Sequence, residues 1–228
     1  MEIISPDTNE LNLLIVAMES KTIIIDCKPF VFVDESKELE SGQLLNPISF
    51  EDGKIILETA KLLFNKIGVN FCLAYGTLLG AVREQSIIRG DEDVDVYTED
   101  ESKLLAGLPF LAENGFNLVR YYSGKLYSFR INERCYIDVY ILRPLRYLSP
   151  WSIYCKCISG YTVPRKYFRY TQDIEFLGEI YKCPKDPEKL LKFWYGKNWR
   201  IPMPAKPHEE VLSAEIFHRI YRFIFRRA

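Results

Sequence analysis

The chain has 228 residues, 48% apolar and 27% charged, with 30 Lys and Arg against 31 Asp and Glu for a formal net charge of -1. That length can bury a sizeable core, and the near-neutral balance supplies no global positive field for wrapping nucleic acid. No run approaches the ~20 apolar residues of a membrane helix, and Met1-Glu2-Ile3-Ile4-Ser5-Pro6 lacks the basic start and apolar stretch of a signal peptide, so a cytoplasmic protein is expected.

Residues 1–45 read as a β-rich N-terminal appendage, in which Thr22-Ile23-Ile24-Ile25-Asp26-Cys27 and Pro29-Phe30-Val31-Phe32-Val33 predict a small hairpin. Residues 46–204 form the expected main domain. It opens with a helix: Ser49 and Asp52 make a capping-box-like start, Ile56, Ala60, Leu63 and Ile67 recur on one face, and Gly68 stops it. A strand over 70–74, a Gly76-Thr77 turn, a short helix over 78–83 and a loop over 84–90 lead to an acidic stretch from Asp91. A helix over 100–114, stopped by Gly115, comes next.

Strands are expected over 116–122, 126–131 and 135–142, then over 151–158 and 174–181 either side of a turn from Pro164 to Phe168. Pro187 starts a helix that Gly196 ends. Residues 205–228 read as a C-terminal amphipathic helix, with Val211, Leu212, Ile216, Ile220 and Ile224 on one side and Arg219, Arg222, Arg226 and Arg227 elsewhere. The order predicts an α+β fold, a mixed β-sheet with helices packed on it.

The cysteines (Cys27, Cys72, Cys135, Cys155, Cys157, Cys183) sit mostly in apolar strand-like runs, which suits reduced core thiols better than a disulfide framework. Cys155-Lys156-Cys157 lacks the second cysteine pair or spaced histidines that zinc requires, since only His208 and His218 are available.

Chemistry concentrates in Asp91-Glu92-Asp93-Val94-Asp95-Val96. Side chains alternate along a strand, so Asp93 and Asp95 share a face while Val94 and Val96 enter the core. Seven of the eleven residues from Asp91 to Glu101 are acidic and none is Lys or Arg, so no local salt bridge offsets the repulsion. A divalent cation would, and hard oxygen ligands suit Mg²⁺ or Mn²⁺, which recruit phosphates to complete their shells. A solvated acidic loop is the other reading.

Ile137-Asp138-Val139-Tyr140-Ile141 places one more carboxylate on an apolar, β-prone run. Beside the Asp93 strand it would complete a three-carboxylate metal site; on the far side of its own strand it would face water. Gly76 would let the backbone approach a phosphate, and Thr77 with the amides of the following helix can donate to anionic oxygens. Arg83 either reaches the same phosphate or pairs with Glu84 or Asp91.

Gly-Thr, then Asp-x-Asp, then a third Asp on a later strand resembles the DNA polymerase β-like nucleotidyltransferase superfamily. More narrowly, Tyr75-Gly76-Thr77-Leu78-Leu79-Gly80-Ala81-Val82-Arg83 followed by the acidic stretch is similar to the signature of the LicD family, which includes bacterial phosphocholine transferases and fukutin-related ribitol-phosphate transferases. Tyr136-Ile137-Asp138-Val139 is similar to the family's later strand, and Tyr195-Gly196-Lys197-Asn198-Trp199-Arg200-Ile201-Pro202 resembles its closing segment. Where the family commonly has Pro-Trp, this chain has Arg89-Gly90, so Arg89 can offer a charge contact to phosphate instead.

The resemblance implies a nucleotidyltransferase-like sheet and a metal-dependent phosphotransferase. It would move a substituted phosphate, phosphocholine- or alditol-phosphate-like, from a CDP-activated small alcohol donor to a hydroxyl of a glycan or glycolipid acceptor. Asp93, Asp95 and Asp138 would hold Mg²⁺ or Mn²⁺ and carry catalysis, with Asp138 also a base toward the acceptor. Gly76, Thr77, Arg83, Arg89 and Asp91 would bind substrate, Asp91 by supporting the cluster.

Two rivals remain at this point: a nucleotidyltransferase moving NMP from an NTP to a small molecule, protein or RNA, and a binding module on a retired transferase fold. The arginines of the C-terminal helix would suit peripheral contact with anionic lipid at the inner face of the membrane. No nucleic-acid partner is expected. Tyr121, Tyr122, Tyr127, Tyr136 and Tyr140 read as packing residues or as an aromatic surface for sugar or quaternary ammonium.

Overall fold

A computed structural model describes residues 19–42, 46–132, 135–144, 155–158 and 161–202. The expected C-terminal helix, its lipid contact and the start of the expected strand at Trp151 lie outside the described residues.

Strands β1 (Glu19–Ile25) and β2 (Lys28–Asp34) form the expected antiparallel hairpin. Asp26 and Cys27 both adopt positive φ, 47° and 64°, which gives the two-residue turn the twist that hairpin strands need. Helix α1 (Ser36–Ser41), not foreseen from the sequence, follows at once.

Helix α2 (Phe50–Lys66) begins as expected: Asp52 N–H donates to Ser49 Oγ at 3.0 Å, satisfying one of the free amides of the first turn. Strand β3 is only Cys72–Leu73, shorter than expected, because the next helix takes over at once. That helix, α3, spans Tyr75–Arg83, so Gly76 and Thr77 lie in its first turn rather than in a turn before it.

Strand β4 is Val94–Thr98. The single helix expected over 100–114 is two, α4 (Glu101–Ala106) and α5 (Leu108–Glu113). Pro109 has no N–H to donate to Leu105 O, which interrupts the helical ladder, and Gly107 passes so close to the end of α2 that a Cβ there would lie 2.5 Å from Ile67 Cδ1.

Strands β5 (Asn117–Tyr122), β6 (Leu126–Asn132) and β7 (Cys135–Ile141) match expectation closely. A small sheet of β8 (Arg143–Pro144), β9 (Cys155–Ile158) and β10 (Tyr161–Pro164) comes next, followed by a 3-10 turn at Arg165–Phe168. Then come the hairpin β11 (Thr171–Phe176) and β12 (Glu179–Pro184), and helix α6 (Pro187–Tyr195).

The central sheet is mixed, in the order β3-β4-β7-β6-β5, with β4 and β7 parallel and the other pairs antiparallel, so the fold is α+β. Alternation sorts its residues onto two faces. Val94, Val96, Phe129, Ile137 and Val139 lie on one, all wholly buried in the core cluster that also holds Ile56, Leu57, Ala60 and Phe64 of α2. Phe64 anchors this layer, meeting Phe116 at 5.7 Å and Phe129 at 6.1 Å edge to face. The register leaves Asp95 and Asp138 directly opposite each other on the other face.

Among the described residues Cys72, Cys135, Cys157 and Cys183 are buried free thiols, as the apolar runs suggested. Among the same residues no helix is long and apolar enough to cross a membrane.

Candidate active site

The first turn of α3 is fastened around Asp95 by three hydrogen bonds. Ala74 N–H donates to Asp95 O at 3.0 Å, Gly76 N–H to Asp95 Oδ2 at 3.0 Å, and Asp95 N–H to Thr77 Oγ1 at 2.8 Å. The helix therefore presents the positive end of its dipole to this carboxylate. Gly76 is required by packing: a Cβ there would lie 2.6 Å from Asp91 Oδ2 and 3.3 Å from Asp95 Oδ2. Tyr75, just before it, has φ of 34°, a strained value for a residue with a Cβ. Its ring is stacked on Trp194 at 4.4 Å and edge-on to Tyr140 at 4.7 Å.

Asp93 stands at the entrance to β4, one alternation before Asp95. The parallel partner of Asp95 on β7 is Asp138, and one ligand oxygen from each of Asp93, Asp95 and Asp138 lies within 4.8 Å of the others. The row continues across the sheet, since Asp138 pairs with Ser128 on β6 and Ser128 with Arg120 on β5. Asp138 thus faces the cluster rather than water. Ser128 Oγ donates to Asp138 Oδ1 at 2.5 Å, and Arg120 Nη2 donates to Oδ1 at 2.9 Å and to Oδ2 at 2.7 Å.

Burial is the largest cause lifting Asp93 and Asp95 well above the usual carboxylate range. Repulsion adds to it, from Asp95, Asp138 and Asp91 on Asp93, and from Asp91 and Asp138 on Asp95. Asp138 is raised by burial too, but Arg120 and hydrogen bonds from Ser128 and Tyr140 pull against the rise. The Gly76 amide and the Tyr140 hydroxyl pull against the rise of Asp95. Asp91 is pushed up to about 6, chiefly by burial.

Three carboxylates share this place with one guanidinium, and all the free donors are hard oxygens. That set fits a divalent cation.

The residues expected to bind substrate divide. Gly76 spends its amide on Asp95, and the space beside it is filled by the Asp91 carboxyl. Thr77 is buried, and its oxygen accepts from Asp95 N–H rather than turning outward to an anion. Arg83 is committed to Glu84, with Nε at 2.8 Å from Oε1, and to Trp199 O at 3.4 Å. Arg89 is exposed and in no ion pair among the described residues.

Arg120, Ser128 and Tyr75 were not singled out from the sequence, and Tyr140 only as one of several tyrosines. A signal for Arg120 did exist, a lone cation in the apolar run Leu118-Val119-Arg120-Tyr121. Strict alternation, however, assigns it to the face of Leu118. The register shift between Leu118 and Arg120 is a bulge at Val119 that turns Arg120 to the acidic face.

The mixed sheet thus carries Asp95 on β4, with Asp93 just before that strand, and a third carboxylate, Asp138, on its parallel neighbour β7. The nucleotidyltransferase domain of the LicD/FKTN/FKRP family matches residues 68–186, more than half of the chain, and the protein belongs to this family.

Among curated proteins none matches the chain. Two solved structures align with parts of the chain. The lincomycin-bound lincosamide antibiotic adenylyltransferase LnuA aligns with a TM-score of 0.44 at 14% identity, covering 64% of this chain and 86% of that one. The antibiotic-resistance factor ANT(2'')-Ia aligns with a TM-score of 0.49 at 11% identity, covering 78% and 96%.

Proposed function

We propose that the protein is a metal-dependent phosphotransferase that moves a substituted phosphate from a CDP-activated small alcohol to a hydroxyl of a glycan or glycolipid. The convergence of Asp93, Asp95 and Asp138 carries this reading, and family membership supports it. The acceptor oxygen attacks the phosphorus that bears the alcohol and loses its hydroxyl proton to water, the bond from that phosphorus to the bridging oxygen breaks, and CMP leaves. Mg²⁺ or Mn²⁺ held by the three aspartates would neutralise the diphosphate and the leaving oxygen.

The chain's own residues orient and screen. Gly76 N–H and the first turn of α3 keep Asp95 aimed into the site. Arg120 bonds to both oxygens of Asp138 and Ser128 to Oδ1, which fixes that carboxylate in place beside the other two. Tyr75 and Tyr140 form an aromatic wall beside the cluster. Of the two arginines expected to meet phosphate, Arg89 is exposed and in no ion pair among the described residues, and it would meet a phosphate from solvent. We place the reaction in the cytoplasm, where the free thiols stay reduced, with peripheral membrane contact through the C-terminal helix as a part of the proposal that lies outside the described residues.

The test is metal-dependent CMP release from CDP-choline and CDP-ribitol by wild type and by Asp93→Asn and Asp95→Asn. Activity undiminished in both variants sinks the mechanism. Pyrophosphate release from CTP or ATP, with no CMP from either CDP-alcohol, would replace it with nucleotidyl transfer.

A further inference from the structure

Asp138 is gripped by two residues outside the acidic motif. Besides their bonds to Asp138, Arg120 Nε donates to Ser128 Oγ at 2.8 Å, so the three side chains form a closed ring of hydrogen bonds. Their residues are 3%, 8% and 0% exposed for Asp138, Arg120 and Ser128, so water does not compete for these bonds. The far end of the clamp is anchored as well. The bulge residue Val119 accepts Glu35 N–H at 2.7 Å through its carbonyl, and its side chain packs in a buried cluster with Leu39 of α1 and Tyr136 of β7. The N-terminal segment thus holds the bulge that aims Arg120.

A carboxylate oxygen has two lone pairs to offer. Oδ1 of Asp138 uses both, on Ser128 and on Arg120. Oδ2 shares the same guanidinium nitrogen and keeps the remaining place.

We propose that Arg120 and Ser128 are positioning residues that make Asp138 a one-oxygen ligand and so set which cation the site accepts, a small octahedral ion such as Mg²⁺ or Mn²⁺ in preference to Ca²⁺. The inference rests on the metal-binding reading of the three aspartates. Mg²⁺ and Mn²⁺ take one oxygen from each carboxylate in a rigid octahedron, whereas Ca²⁺ gathers more oxygens and often both from one carboxylate. A carboxylate tied at Oδ1 and pinned in its plane by Arg120 cannot turn to chelate. Partners of this kind, one step behind the metal, are worth about 10–100-fold in metal affinity.

The experiment titrates the full chain, stripped with EDTA, with MnCl₂ followed by electron paramagnetic resonance of free Mn²⁺, and separately with CaCl₂ by calorimetry. Wild type, Ser128→Ala and Arg120→Lys are compared, with circular dichroism to verify folding. Wild type should prefer Mn²⁺. Ser128→Ala should lose about tenfold in Mn²⁺ affinity and little in Ca²⁺ affinity, and Arg120→Lys, which keeps the charge but not the fork, should shift the ratio the same way. An equal change for both ions in Ser128→Ala, or none, overturns the clamp while leaving the metal site standing. A wild type that takes up neither ion overturns the metal site and the clamp with it. If Arg120→Lys fails to fold, Ser128→Ala decides alone.

Discussion

The two faces of the central sheet come from the same strands and are held by different forces. On the helix face Val94, Val96, Phe129, Ile137 and Val139 are wholly buried in apolar surroundings. Their contribution grows with the area taken from water and tolerates any arrangement that fills the volume. On the acidic face Asp95, Asp138, Ser128 and Arg120 lie in a row joined by directional bonds and charge, where the loss of one partner strands another. Alternation along each strand thus keeps the residues that hold the fold apart from those proposed to carry the chemistry, and damage to the two faces should be separable by measurement.

The largest expected change is in rate. Asp95→Asn should cut CMP release by about 10²–10³-fold, while the melting temperature of the metal-free protein holds or rises, because a buried charge among repelling carboxylates is removed. A variant that lost stability along with activity would break the comparison. Phe129→Ala should do the reverse. It costs about 3–5 kcal/mol in urea unfolding, with the activity of the remaining folded fraction retained.

Asp138→Asn sharpens the contrast within the acidic face itself. Unlike Asp95, Asp138 compensates a buried guanidinium, so its loss leaves Arg120 without a counter-charge and should cost about 3 kcal/mol. Equal stability effects at the two aspartates would remove the distinction between a strained carboxylate and a paired one.

A smaller effect comes from pH. Asp91, Asp93 and Asp95 have folded-state values above their ordinary ones, so the folded protein holds more protons than the unfolded chain between the two values. Their favourable share is complete below the unfolded value of 3.8 and is lost as pH rises through the folded value, about 6 for Asp91. The metal-free protein should therefore lose a few degrees of melting temperature across that window and beyond. Added Mg²⁺ should flatten the slope by binding the ionised forms. A slope unaffected by Mg²⁺ would argue against a metal among these carboxylates.

The smallest effect belongs to neither face. Lys61 and Glu179 pair at 2.8 Å with side chains 33% and 47% exposed, so Glu179→Ala should leave thermal unfolding almost unchanged.

Much of this organisation was legible in the chain. Ser49 with Asp52 marked the start of α2, Gly115 and Gly196 marked the ends of helices, and the alternation of Asp93, Val94, Asp95 and Val96 sorted carboxylates from core. These are local signals, set by side-chain period and backbone permissiveness. The misreadings also had local causes. Gly76 and Thr77 looked like a phosphate turn because a glycine followed by a hydroxyl residue is equally suited to a helix start that packs against a neighbouring carboxylate. The helix over 100–114 was read across Gly107 and Pro109, where the missing N–H of Pro109 interrupts the ladder.

By itself the sequence determined which residues could stand on one face of a strand, which segments could be helical, and that three aspartates of the right kind were present. Only the tertiary structure decided that they meet. The parallel pairing of β4 with β7 sets Asp138 opposite Asp95, and that register depends on packing between segments far apart in the chain. The bulge at Val119, held by Glu35 N–H from the N-terminal segment, reverses the face on which Arg120 falls. One extra residue in a strand inverts every later side chain, and no pattern within that strand announces it.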